Sequence, residues 1–263
     1  MRRRCRVIRV FTVGQLGGNP LGVVTDLAGL DDGAMQSIAA RLGFSETVYF
    51  DPSRPEPFVR IFTPVAELDF AGHPLVGSAW VLGRGDDSRG VMRCGIGPVP
   101  WHATPHGAAV DVPHGSVAGR VALPSGLADA LGTGPVRECW EIDVPQRYQL
   151  VEVATGHNVA AADPDFTRLA VAGADGVFLY ARSGDRVRAR FFAPRLGVDE
   201  DPATGSAAAA LATLLAATES ERGALTIRQG PDRGEADLEV AWTAAAITLQ
   251  GSVREDAAVL LDF

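Results

Sequence analysis

Glu46, His73 and Asp201 are the residues of this chain best suited to moving protons. Glu46 stands in Phe44-Ser45-Glu46-Thr47-Val48-Tyr49-Phe50, among aromatic and β-branched neighbours. A carboxylate in that company loses water, which favours its protonated form and suits it to acid/base work near neutrality. The plainer alternative is an exposed strand glutamate. His73 opens the apolar run His73–Leu82, where an imidazole could donate to a substrate oxygen, shuttle a proton, or only fill a corner. Asp201 lies in Asp199-Glu200-Asp201-Pro202, just before a second apolar run, and could serve as an acid/base or as an N-cap. Thr204, Gly205 and Ser206 follow, offering hydroxyls and backbone N–H groups with no Cβ at Gly205 to block a ligand. They too could form nothing more than a tight corner.

All of these residues but Glu46 fall in two copies of one device. The first reads Arg60-Ile61-Phe62-Thr63-Pro64, then Asp69-Phe70-Ala71-Gly72-His73-Pro74 and an apolar run to Leu82. The second reads Arg190-Phe191-Phe192-Ala193-Pro194, then Asp201-Pro202-Ala203-Thr204-Gly205-Ser206 and an apolar run to Ala217. The Arg-x-Phe-x-Pro blocks are 130 positions apart, about half of the 263 residues. Each reads as strand, proline stop, glycine-bearing corner and buried helix. A helix N-terminus has unpaired N–H groups and the positive end of a dipole, so two such ends could grip a small carboxylate.

Alternating β-branched runs predict strands at Cys5–Val13, Leu21–Thr25, Glu46–Phe50, Phe58–Phe62, Val91–Cys94, Val99–Trp101 and Ala108–Val112. Asp31 is a fitting cap for a helix over Ala34–Leu42, with Gly43 as its stop. Pro113–Pro124, rich in Pro and Gly, reads as a link. Beyond it the theme repeats, with strands at Cys139–Ile142, Tyr148–Ala154, Val177–Tyr180 and Val187–Phe192, a helix over Ala203–Ala217, and strands at Leu225–Gln229, Leu238–Trp242, Ala246–Gln250 and Val259–Leu261. A helix apolar all round must be enclosed, and a curled sheet can enclose it. The expected architecture is therefore α+β: two pseudo-symmetric halves, residues 1–117 and 118–263, each wrapping a sheet around one helix. Their helix N-termini are expected to converge on a cleft.

Composition narrows the function. Hydrophobic content of 46% and charged content of 21% indicate a packed globular protein. A net charge of −8 argues against a nucleic-acid partner, which needs a basic face. The cluster Arg2-Arg3-Arg4 with Arg6 runs into a strand pattern interrupted by Arg9, so it reads as the mature N-terminus rather than a signal peptide. The longest uncharged run, Pro202–Thr218, falls short of a membrane span. A soluble, cytoplasmic protein is expected. Cys5, Cys94 and Cys139 form no metal-ligand spacing and read as buried, inert thiols. His102, His106 and His114 read as solvated turn residues, and His157 as part of a turn. Dinucleotide, P-loop and nucleophile-elbow motifs are absent.

Several blocks occur together in order: Val10-Phe11-Thr12, Gly18-Asn19-Pro20-Leu21-Gly22-Val23-Val24, Ser45-Glu46-Thr47, the Phe70-Ala71-Gly72-His73-Pro74 and Asp201-Pro202-Ala203-Thr204-Gly205-Ser206-Ala207 corners, and Gln229-Gly230. With them the chain resembles, over essentially its whole length, the PhzF-like (phenazine biosynthesis) proteins of the diaminopimelate-epimerase-like superfamily. The resemblance implies two β-barrel-like halves around central helices, commonly a homodimer, and no cofactor or metal. It implies an isomerase acting on a small carboxylate, in the family's phenazine enzyme dihydrohydroxyanthranilate. There a glutamate matching Glu46 moves a proton between carbons. Residues matching His73, Asp201 and Ser206 orient the substrate, and N–H groups near Gly72 and Gly205 hold its carboxylate.

The superfamily's racemases carry a cysteine at each glycine corner, whereas this chain has Gly72-His73 and Thr204-Gly205-Ser206. A hydroxyl is too weakly acidic to replace a thiolate, so Glu46-centred isomerisation is the leading expectation. The alternatives are a carboxylate-binding protein without catalysis and a racemase using unlike, non-thiol bases such as Glu46 and His73. Two departures from the family pattern are Asp69, where proline is common, and Pro231-Asp232-Arg233-Gly234 after Gln229-Gly230.

Overall fold

The computed structural model describes residues 2–83, 86–231 and 235–262. Asp232–Gly234, in the segment that departs from the family pattern, lie outside the described residues. The chain forms two units, residues 1–112 with 250–263, and residues 113–249.

The first unit begins with β1 (Arg2–Val10) and β2 (Asn19–Val24), which pair antiparallel. The strand expected to reach Val13 stops at Val10 because Phe11 adopts φ 64. The N–H groups of Phe11 and Thr12 both converge on the Ser252 carbonyl, at 2.8 and 3.2 Å, which makes a bulge. A left-handed residue other than glycine costs about 1–2 kcal/mol. Complete burial of the Phe11 ring offsets that strain. Next come α1 (Asp32–Leu42) and β3 (Glu46–Tyr49), with β3 parallel to β2. The Asp31 carboxylate caps α1 by accepting the Ala34 N–H at 2.8 Å, and Gly43 ends it at φ 64, as the sequence predicts.

The strands β4 (Arg60–Phe62) and β5 (Glu67–Leu68) lead into α2 (Gly72–Gly83), followed by β6 (Ser88–Cys94), β7 (Gly97–Thr104) and β8 (Gly107–Val112). Helix α2 is buried along almost its whole length and packs against β1, β2, β3, β6, β7 and β8. Gly77 permits that approach, since a Cβ there would lie 2.6 Å from Leu21 Cδ2.

The second unit starts with β9 (Ser116–Arg120), inside the segment expected to be a link. This stretch is a strand paired antiparallel with β10 (Val136–Val144), and the Gly115 N–H is held by Thr213 Oγ1 at 3.1 Å. Its prolines and glycines flank or bulge the strand instead of freeing it. Between β9 and β10 lies α3 (Leu127–Leu131), and after β10 come β11 (Gln146–Val153), α4 (Gly156–Ala160), α5 (Phe166–Ala172), β12 (Gly176–Ser183), β13 (Arg186–Ala193) and β14 (Val198–Asp201). Helices of five to seven residues are too short to show a 3.6-residue period, so α3, α4 and α5 escape a sequence reading. His157, expected in a turn, sits in α4.

The unit then builds α6 (Gly205–Thr218), β15 (Gly223–Gln229) and β16 (Ala236–Trp242). Helix α6 packs against β9, β10, β11, β15 and β16. Its Ala-rich surface lets the surrounding backbone come close. The chain ends with β17 (Ile247–Glu255) and β18 (Val259–Asp262), both antiparallel to β1. The final segment therefore belongs to the first unit, and the halves do not divide at residue 117 as the sequence suggested. A strand that closes a sheet over sequence distance leaves no local sign of its partner.

The internal repeat extends beyond the two sequence blocks. In each unit α2 or α6 is the crossover between parallel strands: Phe58 bridges Arg93 in the first, and β13 pairs with β15 in the second. Arg60 grips Glu67 through two hydrogen bonds, at 2.7 and 2.6 Å, and lies 5.0 Å from the Phe62 ring centre. Arg190 grips Glu200 in the same way, both at 2.8 Å, and lies 5.0 Å from the Phe192 ring centre. Gly90 faces Trp101 across β6 and β7, and Gly223 faces Trp242 across β15 and β16. Each glycine is 18 residues beyond the first residue of its central helix, Gly72 or Gly205. A Cβ at either would strike the opposing indole, at 2.8 and 2.2 Å. The ring thus fills the place of the missing side chain.

The twin clamps differ in burial, and burial sets what each is worth. The Arg190 and Glu200 side chains are 10% and 17% exposed, against 26% and 41% for Arg60 and Glu67. Arg190 also donates to the Ala162 carbonyl at 2.6 Å. Removing one partner of a buried pair strands the other charge. Glu200→Ala is expected to lower stability by about 2 kcal/mol, and Glu67→Ala by about 1 kcal/mol or less. Chemical denaturation of both variants checks this, and equal losses would refute the role given to burial.

Candidate functional site

In the first unit, Asn19, Glu46 and His73 come together from β2, β3 and α2. Asn19 opens β2 after the Gly17-Gly18 turn, Glu46 opens β3 beside Leu21, and His73 is the second residue of α2. The Glu46 Oε2 lies 3.4 Å from His73 Nδ1, and the Asn19 Nδ2 lies 3.2 Å from the same nitrogen. His73 is 2% exposed and Glu46 13%.

Distance alone would allow an imidazolium–carboxylate pair. Burial opposes it: desolvation pushes His73 from its ordinary 6.5 down to about 3, so the ring is neutral at pH 7. Burial outweighs proximity here, since the nitrogen facing Glu46 also faces an amide donor. This decides between the roles open to His73 in the sequence. A buried neutral imidazole can donate one hydrogen bond, and it is a poor proton shuttle near neutrality.

Its folded pKa lies below the unfolded one, so stability from this group is full above about pH 6.5 and declines as pH falls toward 3. His73→Gln is expected to flatten that part of the stability–pH curve. Denaturant midpoints measured across the window check it, and an unchanged slope would contradict a neutral buried ring.

In the second unit the corner before α6 is locked by side chains. The Thr204 hydroxyl donates to Asp201 Oδ2 at 2.5 Å. The Gln229 Nε2 donates to the Asp201 carbonyl at 2.9 Å and to Thr204 Oγ1 at 2.8 Å, while its Oε1 accepts the Thr204 N–H at 3.1 Å. Asp201, Thr204 and Gln229 are all buried. Asp201 is thus not the N-cap its place before Pro202 suggested. Thr204 holds that position, and its side chain is turned to Asp201 and does not cap the helix. The first-turn N–H groups of α6, at Gly205 and Ser206, therefore receive no cap from it and suit an anion.

The Ser206 Oγ lies 3.0 Å from Tyr148 Oη. Tyr148 and Gln229 have no assigned role in the sequence reading. Gln229 stood there only as part of a motif, and Tyr148 only as a strand residue. Their partners are 58 and 25 residues away, and no local pattern points to them.

The repeat also shows what the second unit lacks. Glu46 is level with Leu21, and the next residue, Thr47, pairs with Phe62. In the second unit Gly176 is level with Tyr148, and Val177 pairs with Phe192. Gly176 is therefore the counterpart of Glu46. A side chain there would meet the Phe191 ring at 2.2 Å. Ser206, second in α6, is the counterpart of His73, second in α2. Leu68, level with Ile61, is the counterpart of Asp201, level with Phe191. The acid/base groups are thus unlike in the two units.

A family model described as phenazine biosynthesis-like protein (PhzC-PhzF) matches residues 8–111 and 145–251. This chain belongs to the PhzC-PhzF family. A trans-2,3-dihydro-3-hydroxyanthranilate isomerase of Pseudomonas chlororaphis is 34% identical over 221 residues, covering 80% of this chain and 78% of that protein. A PhzF-family crystal structure from Enterococcus faecalis matches with TM-score 0.84 at 23% identity, over 100% of both chains. A probable proline racemase from Agrobacterium radiobacter matches with TM-score 0.70 at 13% identity, over 99% of this chain and 93% of that one. The last two likenesses establish the fold, which is mixed and mostly sheet with few helices. The family's named relatives make the chain an isomerase.

In this PhzF-family chain no cysteine is part of either corner, although Cys94 lies near Asp69, which leads into the first. Cys5, Cys94 and Cys139 are buried, and desolvation raises all three thiols, Cys5 and Cys139 to about 11. Cys5 packs in the core beside α1 and Cys139 in the core beside α3. Thiols so placed are unreactive. Among the described residues no group of three or more His, Cys, Asp and Glu could hold a metal ion. No helix of the described residues is long and apolar enough to cross a membrane.

Proposed function

We propose that this isomerase relocates a proton on a small, cyclic, unsaturated carboxylate of the dihydrohydroxyanthranilate kind, with Glu46 as the proton carrier. Glu46 would take a proton from one ring carbon. The electron pair left behind would spread into the unsaturated system conjugated with the carboxylate, and Glu46, having exchanged its proton with solvent, would deliver a proton to another carbon. His73 and Asp201 assist by hydrogen bonding. In the first unit the N–H groups at Gly72 oppose the charge that develops, and in the second unit the Thr204, Gly205 and Ser206 corner offers N–H groups and hydroxyls that suit a carboxylate.

The observation that carries this reading is the unequal pair Glu46 and Gly176. A positional shift can be performed by one acid/base group, and at this place in the repeat only the first unit supplies one. Glu46 has a half-buried, histidine-flanked setting, and its counterpart has no side chain. The relatives named as trans-2,3-dihydro-3-hydroxyanthranilate isomerases support the substrate class.

Solvent deuterium wash-in tests it. Incubation with dihydrohydroxyanthranilate-like acids in heavy water is expected to give a positional isomer labelled at carbon. Inversion of a single stereocentre without double-bond movement would favour a racemase. Tight binding without exchange would reduce the protein to a carboxylate binder.

A further inference from the structure

We propose that Asn19 is a positioning residue that fixes the tautomer of His73, so that Nε2 carries the proton and offers one N–H to a substrate oxygen. This rests on the reading of Glu46 and His73 as parts of the reactive site. A neutral imidazole has one donor nitrogen and one acceptor. The side-chain nitrogen of Asn19 can only donate, and it lies 3.2 Å from Nδ1. Nδ1 must therefore accept, and the proton sits on Nε2. Burial keeps the ring from gaining a second proton that would erase the distinction.

A further observation agrees. His73 Nε2 is buried and meets no hydrogen-bond partner among the described residues. A buried donor left unmade is costly, and is the kind of group a ligand can satisfy. Glu46 Oε2 also faces Nδ1, at 3.4 Å, and as an acceptor it draws a proton toward that nitrogen, so the Asn19 amide at 3.2 Å opposes it and decides the tautomer. The contact between Glu46 and His73 is then not an ion pair, and the donor of the ring is directed away from it. Asn19 is itself fully buried, so its amide is held in place by packing.

Long-range ¹H–¹⁵N correlation spectra of protein labelled at histidine read the tautomer directly. His73 is assigned by the signal lost in His73→Gln. In the wild-type protein at neutral pH, Nδ1 is expected in the unprotonated region and Nε2 in the protonated region. Asn19→Asp removes the donor that faces Nδ1 and leaves that nitrogen between two carboxylates, and is expected to exchange the two signals. A wild-type spectrum with the proton on Nδ1, or one left unchanged by Asn19→Asp, would overturn the proposal. With His73 assigned, the wild-type spectrum decides even where Asn19→Asp does not fold. It needs no substrate, so failure of the Glu46 reading would appear in the deuterium experiment and not here.

Discussion

Glu46→Gln is expected to lower turnover by about 100- to 10,000-fold while ligand affinity changes little. The amide keeps the size and planarity of the carboxyl group but can neither accept a carbon-bound proton nor return it. The position can carry the change, because Glu46 is the first residue of β3, level with Leu21 of β2, and from Thr47 onward the strand is also held by β4. The substitution should therefore leave the fold intact. Two measurements are needed together: deuterium incorporation into a cyclic unsaturated acid, and the dissociation constant of the same acid. Wild-type exchange in the variant would remove Glu46 from the mechanism. Loss of binding with exchange preserved per bound ligand would make it a binding residue instead.

Gln229→Leu is expected to destabilise the protein by about 3 kcal/mol and to weaken carboxylate binding at the corner before α6. Leucine fills similar volume but severs three hydrogen bonds at once, two from Nε2 and one to Oε1. The Thr204 N–H and the Asp201 carbonyl are then left buried without these partners. Gln229→Glu keeps an acceptor for Thr204 N–H and removes the two donors, so an intermediate loss is expected. Urea denaturation with the slope monitored separates a stability change from a change in unfolding behaviour. A loss below about 1 kcal/mol in Gln229→Leu would mean that the amide is incidental to the corner.

Much of the fold follows from short-range pattern. Alternation located most strands, Asp31 and Gly43 bounded α1, and the all-apolar runs located α2 and α6. Errors came where a local rule met a tertiary constraint. Phe11 ends β1 early because the bulge against Ser252 takes its backbone to positive φ. The segment Ser116–Arg120, flexible by composition, is ordered by β10 and by Thr213 of α6. Asp201 looks like an N-cap before Pro202, yet Thr204 and Gln229 hold it in a different role. The candidate site shows the same division. Glu46, His73, Asp201 and Ser206 were visible by type and motif, while Asn19, Tyr148 and Gln229 gained roles only as spatial partners.

The sequence by itself determined the building plan: a duplicated strand–corner–helix device, the family, and one glutamate in an apolar strand. That information is local, since propensity, alternation and capping depend on residues a few positions apart. Only the tertiary structure decided that His73 is neutral, that its Nδ1 is shared by Asn19 and Glu46, and that Gly176 answers Glu46 in the repeat. Those facts depend on burial and on strand register between distant segments. Removal of water and the pairing of remote backbone are properties of the folded chain, and no neighbouring residue encodes them.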